Sequence, residues 1–267
     1  MPQRAAAAPL ADGGQLLPVT PGLGAATAVL LLAAVTVAGW GRLGHGRAVL
    51  RAGLRAVAQL AAVALVITWV VDSRWWSALF VLLMFTVAVR TAGRRMAPGD
   101  GRDWLWAAAP IGAGVLPVLV LLLGSGLLPP KGLSVIPVAG ILIGGALTAT
   151  SLSGRRALDE LRQRHGEVEA ALALGFEERD ARMEICRTAA ATSLVPALDQ
   201  TRTVGLVTLP GAFVGMLLGG ASPVQAGAVQ LFVLVGLLAV ETTAVVVVLE
   251  LVGRGLVRAG RVGEVIG

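Results

Sequence analysis

The sequence predicts an all-α polytopic integral membrane protein of about seven transmembrane helices, with its N-terminus outside, its C-terminus cytoplasmic and a long helical cytoplasmic loop before the last two spans. Three observations carry this. First, 56% of the 267 residues are hydrophobic and only 14% charged, with a mean hydropathy of +0.80, too little polar surface to clothe a soluble globule of this size. Second, the apolar residues come in blocks long enough for helices that need about 20 residues to cross the hydrocarbon. Third, the arginines alternate with those blocks. With the N-terminus outside, all 22 basic residues except Arg4, Arg74 and Lys131 fall in cytoplasmic segments, as retained positive charge requires.

The elements follow in order. Residues 1–19 form an extracytoplasmic tail, and spans 1–5 occupy 20–153, near 20–40, 53–71, 75–91, 105–126 and 133–153. The first is read as a retained span and not a cleaved signal, because its apolar region starts some twenty residues in and runs straight to Arg42. Gln59 in the second span needs a hydrogen-bond partner in apolar surroundings, which is expected between helices or along a path through the bilayer. Gly140 and Gly144 on the fifth form a small-residue face where another helix can approach closely.

Residues 154–202 are the longest polar stretch. Leu158, Leu161, His165, Val168 and Leu172 alternate at spacings of three and four and draw one stripe down a helix, with His165 as a packing or rim residue. Gly175 ends that helix, and Glu177, Glu178 and Asp180 suit the first turn of a second running to Pro196. The alternative is an amphipathic hairpin lying on the lipid surface.

Spans 6 and 7 occupy 203–252, near 203–219 and 226–252, divided at Gly219–Pro223, and 253–267 is a cytoplasmic tail. Gly211, Gly215 and Gly219 recur every four residues as a second smooth face, and Pro210 is expected to kink the sixth span. Arg202 is read as an interfacial anchor. Gln230 raises the same question as Gln59. Glu241 lies deep in the last span, where an unpaired carboxylate costs roughly 2.5 kcal/mol or more, so it is expected to face protein or water, to pair with a base, or to be protonated; a cation site is one such role.

The strings EAA at 169–171, LALG at 172–175, DQTRTVGLVTLPG at 199–211 and GMLLGGASPVQA at 215–226, with RAVAQL at 55–60 and IPVAG at 136–140, resemble the Fet-type metal-export permease family. Bacterial iron exporters and plant permease subunits that confer aluminium tolerance belong to it. The resemblance covers roughly residues 45–252. It implies a permease subunit of an ABC transporter in a bacterial inner membrane, working as a homodimer with a separate ATPase subunit and exporting iron or another metal ion. It further implies that Glu169, Ala170, Ala171 and Gly175 form the signature that docks on that ATPase. Ile141, Gly145, Leu147 and Phe213 depart from the family, which often carries Met, Asn, Met and Met there. An ABC permease for an organic or lipid substrate, and a membrane scaffold that transports nothing, are the alternatives.

Other chemistry is thin. The only lysine, Lys131, sits in no GxxxxGK[ST] loop, so ATP hydrolysis by a P-loop is excluded for this chain. No His/Cys cluster has metal-ligand spacing, no cofactor is expected, and the single cysteine, Cys186, excludes an internal disulfide. The +6 net charge is divided among separate loops without interleaved aromatics, which argues against nucleic acid.

Overall fold

A computed structural model describes residues 20–71, 73–97 and 102–257, which are helical apart from turns and one isolated β-bridge. The tail 1–19 and the end of the C-terminal tail, with Arg4, Arg258 and Arg261, lie outside the described residues. Among the described residues six helices are long and apolar enough to cross a membrane: α1 (Pro21–Trp40), α2 (Gly46–Val71), α3 (Arg74–Met96), α4 (Ala108–Gly124, with a preceding 3-10 turn from Arg102), α5 (Gly132–Gln163) and α10 (Pro223–Gly253). Between the last two lie four shorter helices: α6 (His165–Ala173), α7 (Glu178–Ala191), α8 (Val195–Thr203) and α9 (Gly211–Leu218).

The chain divides inside α2, between Thr68 and Trp69, into two units. In the first, Pro21 at the head of α1 uses a position whose amide has no helical acceptor. Arg42 and Gly44 take positive φ in the turn to α2, and Gly53 passes so close to α1 that a Cβ would lie 2.6 Å from a methyl of Leu31. Most other side chains of the pair are exposed, an apolar surface suited to lipid. Gln59 is among the exposed side chains of α2.

In the second unit α5 and α10 form the centre, with α3 and α4 beside them. One buried cluster joins Ile111 and Val115 of α4, Leu142 and Ile143 of α5 and Val240 of α10; another joins Ala157 and Leu158 of α5, Cys186 and Ala190 of α7, and Val248 and Val252 of α10. Close approach is decided by individual glycines. A Cβ on Gly114 would stand 2.7 Å from the Val240 carbonyl oxygen, one on Gly93 would run into the Trp104 backbone, and one on Gly132 would lie 2.8 Å from the Val71 Cα. Arg90 stacks over the Trp104 ring at 5.8 Å, fixing the same corner.

At 32 and 31 residues, α5 and α10 are about 47 Å long, well beyond the roughly 30 Å hydrocarbon core, so each carries several turns past it. α7 packs on those overhanging turns through Ala181, Ile185, Cys186 and Ala190. Burial pushes the Cys186 thiol from 9.0 up to about 11. An acid whose folded value is raised loses its stabilising contribution as pH climbs past the unfolded value, so the window of loss here runs from 9.0 to about 11. Cys186 is accordingly expected to resist maleimide at neutral pH in the folded protein and to react fully once unfolded, which a mass shift reads directly.

Three sequence expectations are corrected. The predicted sixth span, 203–219, is not one helix: α8 stops at Thr203 and α9 starts at Gly211. Gly205 at φ +84° and the Val204–Thr208 bridge turn the chain there, and Pro210, extended at ψ 146°, heads α9 instead of kinking a continuous helix. The stripe from Leu158 to Leu172 is likewise divided, because Arg164 leaves helical geometry at φ −111°, ψ 32°. Leu158 is buried, whereas His165 and Leu172 are exposed. The second loop helix ends at Ala191, and a 3-10 turn leads into α8.

Candidate functional site

Three places carry the chemistry. The first is α6 and the turn after it. None of its residues is buried. Arg164 at the break donates from Nε to Glu167 Oε1 at 2.6 Å and from Nη1 to Glu160 at 3.3 Å, and its hydrogen bond holds the Glu167 carboxyl below its ordinary range. Glu169 lies 3.3 Å from His165, with both exposed. Gly175 takes φ +91°, and the Phe176 and Gly175 amides donate to the Ala171 and Leu172 carbonyls, the Schellman arrangement that reverses the chain sharply. The turn thereby presents Leu174 and Phe176, 80% and 50% exposed, beyond the Glu169–Ala171 segment.

The second place joins this loop to α10. Glu250, near the end of α10, accepts from Arg179 Nε at 3.0 Å and Nη2 at 2.7 Å and from Arg254 at 2.6 Å. Both carboxylate oxygens are engaged, and the Arg179 fork gives the contact a fixed geometry. Gly253 lets Met183 of α7 lie directly on α10: a Cβ there would stand 2.9 Å from Met183 Cγ.

The third is a pair of polar groups on the buried face of α10. Gln230 opens on a cavity of about 180 Å³ beneath the broken segment, lined by Val204, Pro210, Phe213 and Leu234, and its Oε1 has no hydrogen-bond partner. Glu241 is only 9% exposed and lies against α5 at Gly145, where a Cβ would come 2.8 Å from Glu241 Oε1. Among the described residues no three His, Cys, Asp or Glu come together, so these groups do not form a closed metal site.

The pattern of the Uncharacterised protein family (UPF0014) matches residues 23–257. The chain belongs to the UPF0014 family. A rice relative, UPF0014 membrane protein STAR2, is 36% identical over 86% of this chain and 79% of its own length. Protein ALUMINUM SENSITIVE 3 of Arabidopsis thaliana is 36% identical over 67% of this chain and 66% of its own. The Escherichia coli K12 protein named probable iron export permease protein FetB is 30% identical over 75% and 78%. No solved structure matches.

Within this UPF0014 chain the small-residue faces read from the sequence differ in what lies beside them. A Cβ added at Gly211, Gly215 or Gly144 would meet no other part of the chain within 4 Å, one at Gly219 would meet only the carbonyls of its own helix, and one at Gly140 would lie 3.0 Å from the Met84 methyl. A Cβ on Gly114 or Gly145 would collide with α10; Gly145 heads a small-residue row with Ala149, Ser153 and Ala157 that is not made of glycines, and Gly114 belongs to no four-residue repeat. Gly145 occupies the position where the family resemblance carries Asn, and the Glu241 carboxylate stands in the space beside it. The Arg179–Glu250 pair has no sequence signal, since 71 residues separate its members.

Proposed function

We propose that this chain is the permease subunit of an ABC transporter in a bacterial inner membrane, exporting a metal ion with energy from a separate ATPase. The observation that carries it is the α6 turn: an EAA segment and an apolar tip at Leu174 and Phe176 stand exposed, while the adjoining α7 is clamped to α10 by Arg179 and Glu250. A partner that moves the tip therefore pulls on a membrane helix. The relation to a probable iron export permease supports the cargo and the direction. The arginine distribution supports an external N-terminus and a cytoplasmic loop. The open face of Gly211 and Gly215 leaves room for a second copy in a homodimer.

Purification of the tagged protein from its native membrane tests this. An ATPase is expected to accompany the wild type and to be lost from the Glu169→Arg, Gly175→Pro variant; absence of any ATPase from both overturns the reading. A second reading draws on the cavity beside Gln230, whose lining is otherwise apolar and suits an organic cargo. Unchanged metal tolerance on deletion of the gene, with the ATPase still present, favours it.

A further inference from the structure

Gln230, Leu234, Leu237 and Glu241 follow one another at spacings of four, three and four, so they lie along one face of α10, and all are buried. Two polar groups thus bracket two leucines on a stripe about 16 Å long. The cavity beneath the broken segment opens on its Gln230 end, and Gly145 closes it at Glu241. The Glu241 carboxyl has neither a hydrogen bond nor an ion pair among the described residues. Its surroundings supply no base. α4 carries no titratable residue; α5 has none between Gly132 and Gly154, with Arg155 and Arg156 about 15 Å beyond Gly145; α9 and the 192–194 turn have none. On α8, Asp199 and Arg202 stand 3.8 Å apart; on α7, Arg179 is tied to Asp180 and to Glu250 near the end of α10, Arg182 is paired with Glu178, and Glu184 and Arg187 are exposed.

We propose that Glu241 is a proton–cation exchange site: its carboxyl holds a proton while α10 is closed on Gly145, and releases that proton to water when a cation enters along the stripe from the Gln230 cavity. The proton keeps the carboxyl neutral against α5, and an arriving cation takes over as its counter-charge, a divalent ion keeping part of its water shell to carry the charge in excess of the carboxylate's, so no bare carboxylate is left in hydrocarbon. Gln230 supplies an unoccupied carbonyl oxygen at the entry. The use made of the site rests on the transport reading; the chemistry of the site does not.

The test is labelling of the full-length protein in phosphatidylethanolamine–phosphatidylglycerol vesicles with dicyclohexylcarbodiimide, which enters lipid and attacks protonated carboxyl groups, read by peptide mass. Glu241 is expected to label, with the yield falling about tenfold per pH unit above its midpoint. Near that midpoint Mn²⁺ is expected to lower the yield several-fold, and Glu241→Gln to abolish the label while the protein still elutes as wild type. No label at Glu241 at any pH, or a label indifferent to Mn²⁺, overturns the proposal. Because labelling needs no ATPase, its failure leaves the permease reading standing, and loss of ATPase co-purification leaves the labelling result intact.

Discussion

Gly114→Val is expected to destabilise the protein severely in detergent, whereas Gly144→Val leaves it close to wild type. The first places a branched side chain where even a Cβ would sit 2.7 Å from the Val240 carbonyl oxygen. That oxygen is backbone in the middle of a 31-residue helix and has no rotamer by which to move away. Overpacking of this kind costs on the order of 1–3 kcal/mol, and here the alternative to paying it is separation of α4 from α10. The second adds a side chain whose Cβ would meet no other part of the chain within 4 Å. Thermal unfolding of both variants, followed by size-exclusion recovery after heating, measures the contrast. Equal recovery would mean that α4 and α10 do not meet at Gly114.

Reversing the charge of Arg179 is expected to separate ATPase binding from transport. Arg179→Glu faces Glu250 with a like charge and removes the fork that ties α7 to α10, yet leaves the α6 tip untouched. The ATPase should still co-purify, while transport falls roughly tenfold, within the range of coupling free energies between sites. Glu250→Arg alone should behave alike, and the two changes together should restore part of the activity because the pair is re-formed with its charges exchanged. A double variant no better than either single one would show that motion reaches α10 by another route, such as the Met183 contact over Gly253.

Much of the architecture was legible in the residue order, since composition and block length act locally. A run such as 226–252 has to be helical in lipid to satisfy its own backbone, whatever it packs against. The Gly175 turn was equally readable, because a left-handed residue after an apolar helix answers to a local steric rule. The EAA segment and the VGLVTLPG string identified the family for the same reason: they are contiguous. The sixth span misled because hydropathy counts apolar side chains and does not register that Gly205 and Pro210, five residues apart, let the backbone leave the helix.

Contacts across the fold were a different matter. A helix carries small residues on several faces, and which one meets a neighbour depends on how that neighbour is rotated; hence Gly114 and Gly145 are filled and the regular Gly211–Gly215 face is open. Glu241 stood out from its sequence position alone, but its seat against Gly145 and its lack of a partner follow from the packing of α5 on α10. Arg179 and Glu250 meet only because α7 folds back onto the overhanging end of α10. Helix formation and membrane insertion are near-neighbour physics written along the chain, whereas the pairing of faces is set by the rotation and depth at which whole helices pack, and no local pattern encodes it.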